Sequence, residues 1–122
     1  MLEIQEKENI NIENLIYEIR GKQVMLDSDV ASLFGYETKD LNRNVKNNIN
    51  RFPKNYCFQL TENEYNNLRC NFFTSSLKKN YGGRRYLPYV FTEYGITMLA
   101  GILKSEVAVK ASLRIVDTIF SK

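Results

Sequence analysis

The chain has 122 residues, of which 43% are hydrophobic and 25% are charged, and its formal net charge is +3. These values predict one globular domain with a modest core, and no apolar run approaches the roughly 20 residues that span a bilayer. The chain contains no histidine, which excludes Ser–His and Cys–His nucleophile pairs and histidine-based metal sites.

Residues 1–14 form a polar, acidic segment, which predicts a loose lead-in followed by a single domain over residues 15–122. The segment lacks the basic and apolar regions of a signal peptide, so we expect a cytoplasmic protein. Cys57 and Cys70 agree with that expectation, because two cysteines at this spacing make neither a zinc motif nor a disulfide framework.

Charge is segregated along the chain. Residues 1–19 carry one lysine and five glutamates, whereas residues 38–86 carry ten Lys and Arg against three carboxylates, a net charge of +7. Clustered cations reinforce one another's field, so this distribution favours an anionic partner. A solvated basic face is the alternative that charge alone leaves open.

The first predicted elements are a hairpin and a short helix. Two β-rich runs in "NLIYEIRGKQVMLD" flank a turn at Gly21, where glycine accepts a positive φ. The helix follows over "SDVASLF", with Asp27 as its N-cap, Gly35 as its C′ residue, and Val30 and Phe34 on one apolar face.

A second helix is predicted over "KDLNRNVKNNI", with Thr38 as its N-cap. Leu41, Val45 and Ile49 recur at i, i+4 and i+8, so we expect all three to be buried in one apolar stripe. The helix should end at "RFP", because Pro53 disfavours helical backbone angles at the residue before it.

These two helices have the spacing of a helix-turn-helix pair. Ala31 permits close approach, Gly35 makes the turn, and Leu41 fixes the second helix to the core. The second helix would then present its polar face to the DNA major groove, where Arg, Lys and Asn bond base edges. The predicted DNA-binding residues are Thr38, Lys39, Asn42, Arg43, Lys46 and Asn47, with Arg51 as a phosphate contact beyond them. An ordinary helical hairpin with a solvated face has the same pattern.

The second half of the chain adds strands and three helices. "YCFQL" predicts a strand, and Thr61 and Glu64 form a capping box that opens a helix through about Cys70. A strand pair or one bent strand follows over residues 84–91, and Thr92 and Ser105 cap the helices "EYGITMLAGIL" and "EVAVKASLRIVDTIF".

The last of these helices has two apolar stripes. One consists of Val109, Leu113, Val116 and Phe120, and the other of Val107, Ala111, Ile115 and Ile119. A helix that is apolar over so much of its circumference is either well buried or half of an oligomer interface.

The stretch "TSSLKKNYGGRRYLPYVF" is a second cationic feature. Its paired glycines permit a tight turn or a close backbone approach to phosphate, and an apolar strand follows at once. The phosphate-binding residues that it predicts are Ser75, Ser76, Lys78, Lys79, Arg84 and Arg85. A solvated hairpin tip is the alternative. Gly82-Gly83 lacks the spacing of a P-loop or dinucleotide fingerprint. Because the chain also has no histidine and few carboxylates in its folded part, we expect no catalytic residues, no metal and no cofactor, and a tyrosine or serine nucleophile is the alternative that the sequence leaves open.

An ordered series of motifs over about residues 15–120 resembles a known family. The series is "LD", "LFG", "RFP", "FQLT" and "GGRRYLPYVFTE", and it is similar to the ORF-six-N (ORF6N) domain, which is related to the KilA-N and Bro-N domains of phages and large DNA viruses. The resemblance implies a small α+β DNA-binding domain without defined catalytic residues, often joined to a variable C-terminal region. The block at residues 82–86 and the serines upstream match the family pattern, whereas "LKKNY" stands between them here.

The sequence therefore predicts a compact α+β domain with short antiparallel hairpins and about five helices, including a helix-turn-helix-like pair. The predicted function is non-catalytic binding of double-stranded DNA by an antirepressor-like regulator from a phage, prophage or bacterial mobile element. The alternative is a protein-interaction module that sequesters a repressor or forms a homodimer. Neither interpretation involves a membrane or a small-molecule substrate.

Overall fold

Short strands alternate with helices along the chain, of which the computed structural model describes residues 11–72 and 87–121. The strands are β1 (Ile16–Ile19), β2 (Lys22–Leu26), β3 (Cys57–Gln59) and β4 (Tyr89–Phe91). The helices of the described part are α1 (Asp27–Phe34), α2 (Thr38–Asn47), α3 (Glu62–Phe72), α4 (Glu93–Leu103) and α5 (Glu106–Ser121), with 3-10 turns at Ile12–Leu15 and Ile49–Arg51. The predicted α+β class is confirmed.

The four strands form one antiparallel sheet in the order β1-β2-β4-β3. In the third strand of that order, Phe91 lies opposite Met25 and Cys57 on the neighbouring strands. Successive side chains of a strand point to opposite faces, so Val90 and Phe91 contribute to different cores. The sheet therefore has apolar side chains on both of its faces.

The larger core lies on the Phe91 face, where residues of α1, α2, α4 and α5 pack together. Leu41, Ile96, Leu99 and Ile115 are fully buried there. On the Val90 face, Tyr65 and Leu68 of α3 cover the sheet in a smaller cluster that includes Val24, Phe58 and Leu60. The result is a sheet between two helical layers.

The predicted hairpin is confirmed, and its turn is tied to α3. Arg20 and Gly21 both have positive φ, 56° and 73°, as a two-residue turn between twisted strands requires. The Arg20 guanidinium bonds the Glu64 carboxylate at 2.8 Å and lies 4.3 Å from the centroid of the Phe58 ring. This side-chain hydrogen bond lowers the pKa of Glu64 below its ordinary value.

Three of the predicted helix caps are confirmed. Thr61 N–H donates to the Glu64 carboxylate at 2.8 Å, and Glu64 N–H donates to Thr61 Oγ1 at 3.2 Å, which is the reciprocal pattern of a capping box. Thr92 Oγ1 accepts from Gly95 N–H, and Ser105 Oγ accepts from Ala108 N–H. Gly35 ends α1 with φ of 80°, as predicted.

Two predicted caps are wrong. The helices α1 and α2 begin at Asp27 and Thr38 themselves, so the N-cap positions belong to Leu26 and Glu37, neither of which makes a side-chain cap bond. Asp27 is instead fully buried and bonds other elements.

Gly95 lies where α4 approaches the loop before β3. A Cβ atom at this position would stand 2.1 Å from the Tyr56 carbonyl oxygen, far inside van der Waals contact. The same carbonyl accepts from Thr92 N–H at 3.1 Å, so it is fixed in place. Only glycine permits this approach.

One prediction of burial is wrong, and the structure decides which stripe of α5 faces the core. Ile49 is 58% exposed, because α2 ends at Asn47 and the tighter 3-10 turn that follows rotates residue 49 out of the stripe of Leu41 and Val45. On α5, the stripe with the larger side chains is the outer one: Leu113 and Phe120 are 65% and 71% exposed. The buried residues of α5 are Ala108, Ala111, Ser112, Ile115 and Ile119, whereas Val107 and Val109 are exposed.

The segment predicted as a polar lead-in contributes to the core in its described part. Asn11 caps the first 3-10 turn by accepting from Glu13 N–H at 3.1 Å, and Ile12 is 5% exposed. The core therefore includes a residue before the predicted domain start at residue 15.

Candidate nucleic-acid interface

The α1–α2 pair places α2 at the surface. Three residues after α1, beginning with Gly35, connect the two helices, and Tyr36 N–H donates back to the Ala31 carbonyl at 2.8 Å. Ala31 and Leu41 are buried between the elements, as the helix-turn-helix spacing predicts. The opposite side of α2 faces outward.

The outward side of α2 carries most of the predicted DNA-binding residues. Lys39 and Arg43 have side chains that are 71% and 64% exposed, and Lys46 and Asn47 are exposed beside them. Thr38 is half-buried, and Arg51 is exposed in the 3-10 turn that follows. The structure therefore brings this predicted set together along one helix and its C-terminal extension.

Asn42 differs from the rest, because it is bonded to a buried carboxylate. Its Nδ2 donates to Asp27 Oδ2 at 3.0 Å, and the same oxygen accepts from Tyr89 N–H at 3.2 Å. At Asp27 the chain leaves β2 and begins α1. The Asp27 carboxylate therefore accepts the hydrogen bond from Tyr89 N–H of β4 that a backbone carbonyl of a longer β2 would accept. Asp27 thus joins α1, α2 and β4 at one point.

A cleft of about 450 Å³ lies between α2 and the sheet. Its lining residues are Lys39, Asn42, Arg43 and Lys46 from α2, with Gln59 from β3 and Tyr89 from β4. Gln59 and Tyr89 are paired residues of adjacent strands, and Gln59 Nε2 donates to the Leu87 carbonyl at 3.0 Å. Neither residue was among those predicted from the sequence. The only signal that could have indicated one of them is the outward position of Gln59 in the strand "YCFQL".

Two carboxylates partly offset the cations of α2. Arg43 lies 3.1 Å from Asp40, and Lys39 lies 3.9 Å from Glu37. Exposed ion pairs of this kind are worth about 0.2–1 kcal/mol each, so a phosphate or a base edge can replace either carboxylate at small cost.

Burial perturbs the titration of two groups near Asp27. It raises the pKa of Asp29 to about 6, with a further contribution from the Asp27 charge. It also raises the pKa of the Cys57 thiol to about 12, again with the Asp27 charge as the second cause. Cys57 is therefore a buried neutral thiol.

The second predicted set lies outside the described residues. It comprises Ser75, Ser76, Lys78, Lys79, Arg84 and Arg85. The chain is described again from Leu87, whose carbonyl meets Gln59 at the margin of the cleft, and the Pro88 carbonyl accepts from Leu60 N–H at 3.0 Å.

Within residues 11–72 and 87–121, no helix has the length and apolar character needed to cross a membrane. In the same part of the chain, His, Cys, Asp and Glu side chains form no group of three that could hold a metal ion.

Comparison with known proteins gives a family and no individual relative. Neither the curated proteins nor the solved structures gave a match to the chain. The family model of the ORF6N domain matches residues 14–102, which include both sides of the cleft and end before α5. The chain belongs to the ORF6N domain family, a family associated with phages.

Proposed function

We propose that this domain binds double-stranded DNA without catalysing a reaction, as part of an antirepressor-like regulator from a phage, prophage or bacterial mobile element. In this proposal α2 lies against the major groove, with Arg43 toward the bases and Lys39 and Lys46 toward phosphates. Phosphate contacts set affinity and orientation, and the few base contacts set sequence preference.

The observation that carries the proposal is the outward face of α2 together with its anchoring. Lys39, Arg43 and Lys46 are exposed on one side of a helix whose other side buries Leu41 and Val45. The bond from Asn42 to Asp27 holds that helix to the fully buried N-terminus of α1. A cationic helix face fixed in this way loses little conformational entropy on binding a rigid polyanion.

The position of the described chain after residue 86 is consistent with a second phosphate-binding element. Leu87 lies beside Gln59, and Tyr89 lines the cleft, so the first described residues after the basic stretch 78–85 lie close to the cleft. We propose that Arg84 and Arg85 bind phosphates flanking the groove that α2 occupies, with Ser75, Ser76, Lys78 and Lys79 assisting.

The decisive test measures the salt dependence of duplex binding by fluorescence anisotropy. Each phosphate contact contributes about −0.9 to the slope of log K against log salt, so Lys46→Ala should flatten the slope by about 0.9. Lys22→Ala is the matched control, because Lys22 is exposed on β2 and lines a different cleft with Tyr94. Equal slopes for Lys46→Ala and the wild type would contradict the proposed role of α2.

The basic stretch is tested in the same assay. Arg84→Ala/Arg85→Ala should flatten the slope by about 2 if both side chains bind phosphate and by about 1 if one does. If the two arginines serve only to bind phosphate, the melting temperature of the double variant should be unchanged, because arginines in that role contribute little to stability. An unchanged slope and affinity would mean that the stretch is a solvated hairpin tip.

A further inference from the structure

The outward side of α5 carries an apolar row that residues 11–72 and 87–121 leave largely exposed. Its residues, which we call the outer seam, are Val109, Leu113, Val116 and Phe120. Val116 is half-buried, and the other three are 41%, 65% and 71% exposed. Phe120 also lines one cleft with Tyr94, a 53% exposed residue of α4, so the apolar surface continues onto the neighbouring helix.

The spacing of the outer seam is that of a helix–helix contact. Residues 109, 113, 116 and 120 follow one another at intervals of four, three and four, which is the a/d repeat of paired helices. The inner stripe of α5, with Ala108, Ala111 and Ile115, already packs against the core. One helix thus has two apolar faces, and within the described chain the inner face packs against the core, whereas the outer one does so only at Val116.

Charges beside the outer seam favour a second copy in antiparallel orientation. Lys110 and Asp117 are both exposed and lie on the same margin of the seam. When two seams pack antiparallel around a two-fold axis, Val109 lies opposite Phe120 and Leu113 opposite Val116, so a small side chain meets a larger one in each layer. Lys110 of one copy then lies against Asp117 of the other, twice by symmetry. A parallel pair would leave these charges unmatched, since the other margin of the seam holds the buried Ser112 and Ile119.

We propose that the outer seam is a homodimer interface in which two α5 helices pack antiparallel. The inference goes beyond DNA binding, because α5 carries none of the predicted DNA-binding residues. The contact is short, since the seam spans roughly 17 Å of helix. We therefore expect association in the micromolar range, as for small interfaces.

The test is sedimentation equilibrium of the full chain up to about 200 µM, a range that covers micromolar association. The wild type should approach twice the monomer mass of 14.3 kDa as its concentration rises. Leu113→Glu and Phe120→Glu should each remain monomeric with an unchanged circular dichroism spectrum, because both side chains are exposed in the free chain. Val107→Glu is the matched control: Val107 is 56% exposed on the same helix but outside the seam, so this variant should still dimerise.

A charge exchange tests the orientation. Lys110→Glu and Asp117→Lys should each weaken association about threefold to tenfold, because each places like charges together twice. The double variant should return to wild-type association. Within one copy Lys110 pairs with Glu106 at 3.9 Å, and the double variant does not restore that pair, so recovery would report the contact between copies.

Three results would overturn the proposal. They are a wild type that stays monomeric over the whole range, a dimer that survives both seam substitutions, and a double charge variant that associates no better than the single ones. If another segment or another protein covers the seam and the wild type is therefore monomeric, the homodimer proposal is likewise wrong.

Discussion

Replacing Asn42 with Ala separates two roles of this side chain, the DNA contact that the sequence predicts and the bond to Asp27 that the structure shows. In the structure the Asn42 amide donates to Asp27 Oδ2 at 3.0 Å, and Asp27 is fully buried. The substitution removes the Asn42 donor from that oxygen and leaves the Tyr89 N–H in place. A hydrogen bond to a charged group is worth about 1.5–3 kcal/mol.

We therefore expect Asn42→Ala to lower the free energy of unfolding by about 1.5–3 kcal/mol, measured by urea denaturation with an unchanged m-value. Asn47→Ala is the matched control, because it makes the same chemical change at an exposed position of α2. Alanine also has the higher helix propensity, by up to about 0.7 kcal/mol, so the control should be neutral or slightly stabilising. The difference between the two variants then reports the bond to Asp27.

The Asn42→Ala variant also bears on DNA recognition, where it is compared with Arg43→Ala. If Asn42 acts by anchoring α2, then Asn42→Ala should keep the preferred DNA sites of the wild type once it is folded, and Arg43→Ala should change them. A selection from random duplexes measures both. Equal stability of Asn42→Ala and Asn47→Ala, or a change of preferred sites in Asn42→Ala alone, would refute the anchoring role.

Three further predictions concern stability and are checked by thermal or urea denaturation. Val45→Ala should cost about 1–3 kcal/mol through lost burial and a cavity, whereas Ile49→Ala, at a position 58% exposed, should cost little. Gly95→Ala should be strongly destabilising, by about 3 kcal/mol or more, because its Cβ would overlap the fixed backbone carbonyl of Tyr56. The control is Gly101→Ala, whose Cβ meets no atom within 4 Å and which should stabilise α4 by up to about 1 kcal/mol. Burial raises the pKa of Asp29 from its ordinary value of 3.8 to about 6, so the folded protein holds this proton more tightly than the unfolded chain. The resulting contribution to the free energy of unfolding is fully present below pH 4 and is lost as the pH rises through 6. Asp29→Asn should remove that loss and make the protein more stable than the wild type at pH 7 by up to about 3 kcal/mol; a wild type and variant with parallel pH profiles would contradict this.

The parts of the fold that depend on near neighbours in the chain could be predicted from the sequence. The capping box of Thr61 and Glu64 joins residues three apart, and the turn at Gly21 requires a positive φ that glycine accepts. The amphipathic pattern of α2 was likewise enough to predict the burial of Leu41 and Val45. Each of these signals involves only residues that are close together in the sequence.

The Asp27 bond and the cleft could not be predicted in this way. Asp27 and Tyr89 are 62 residues apart, and they meet because β2 pairs with β4. The N-cap interpretation of Asp27 was reasonable for a carboxylate before an apolar run, but it ignored the strand N–H that lies beside the first turn of α1. Gln59 joined the cleft for the same reason, since its pairing with Tyr89 follows from sheet order.

The two stripes of α5 show why hydrophobicity alone did not decide burial. The larger side chains, Leu113 and Phe120, lie outward, and the inner stripe is rich in small residues such as Ala108 and Ala111. Small residues let α4 and α1 approach the α5 backbone closely, so packing distance selected the stripe with less apolar area. Within the described chain the outer stripe was then left exposed at Val109, Leu113 and Phe120.

This division of α5 separates two properties of the protein. The family match covers residues 14–102, and therefore α2, β3 and β4, which together form the cleft and the cationic helix face. α5 begins at Glu106, beyond that match, and carries the outer seam. If the proposals hold, the DNA-binding face depends on residues within the family model, whereas self-association depends on side chains that the family model does not include. Seam variants such as Leu113→Glu should therefore retain the salt-dependent DNA contact of each α2 while losing any preference for two-fold symmetric sites, which a symmetric dimer would confer.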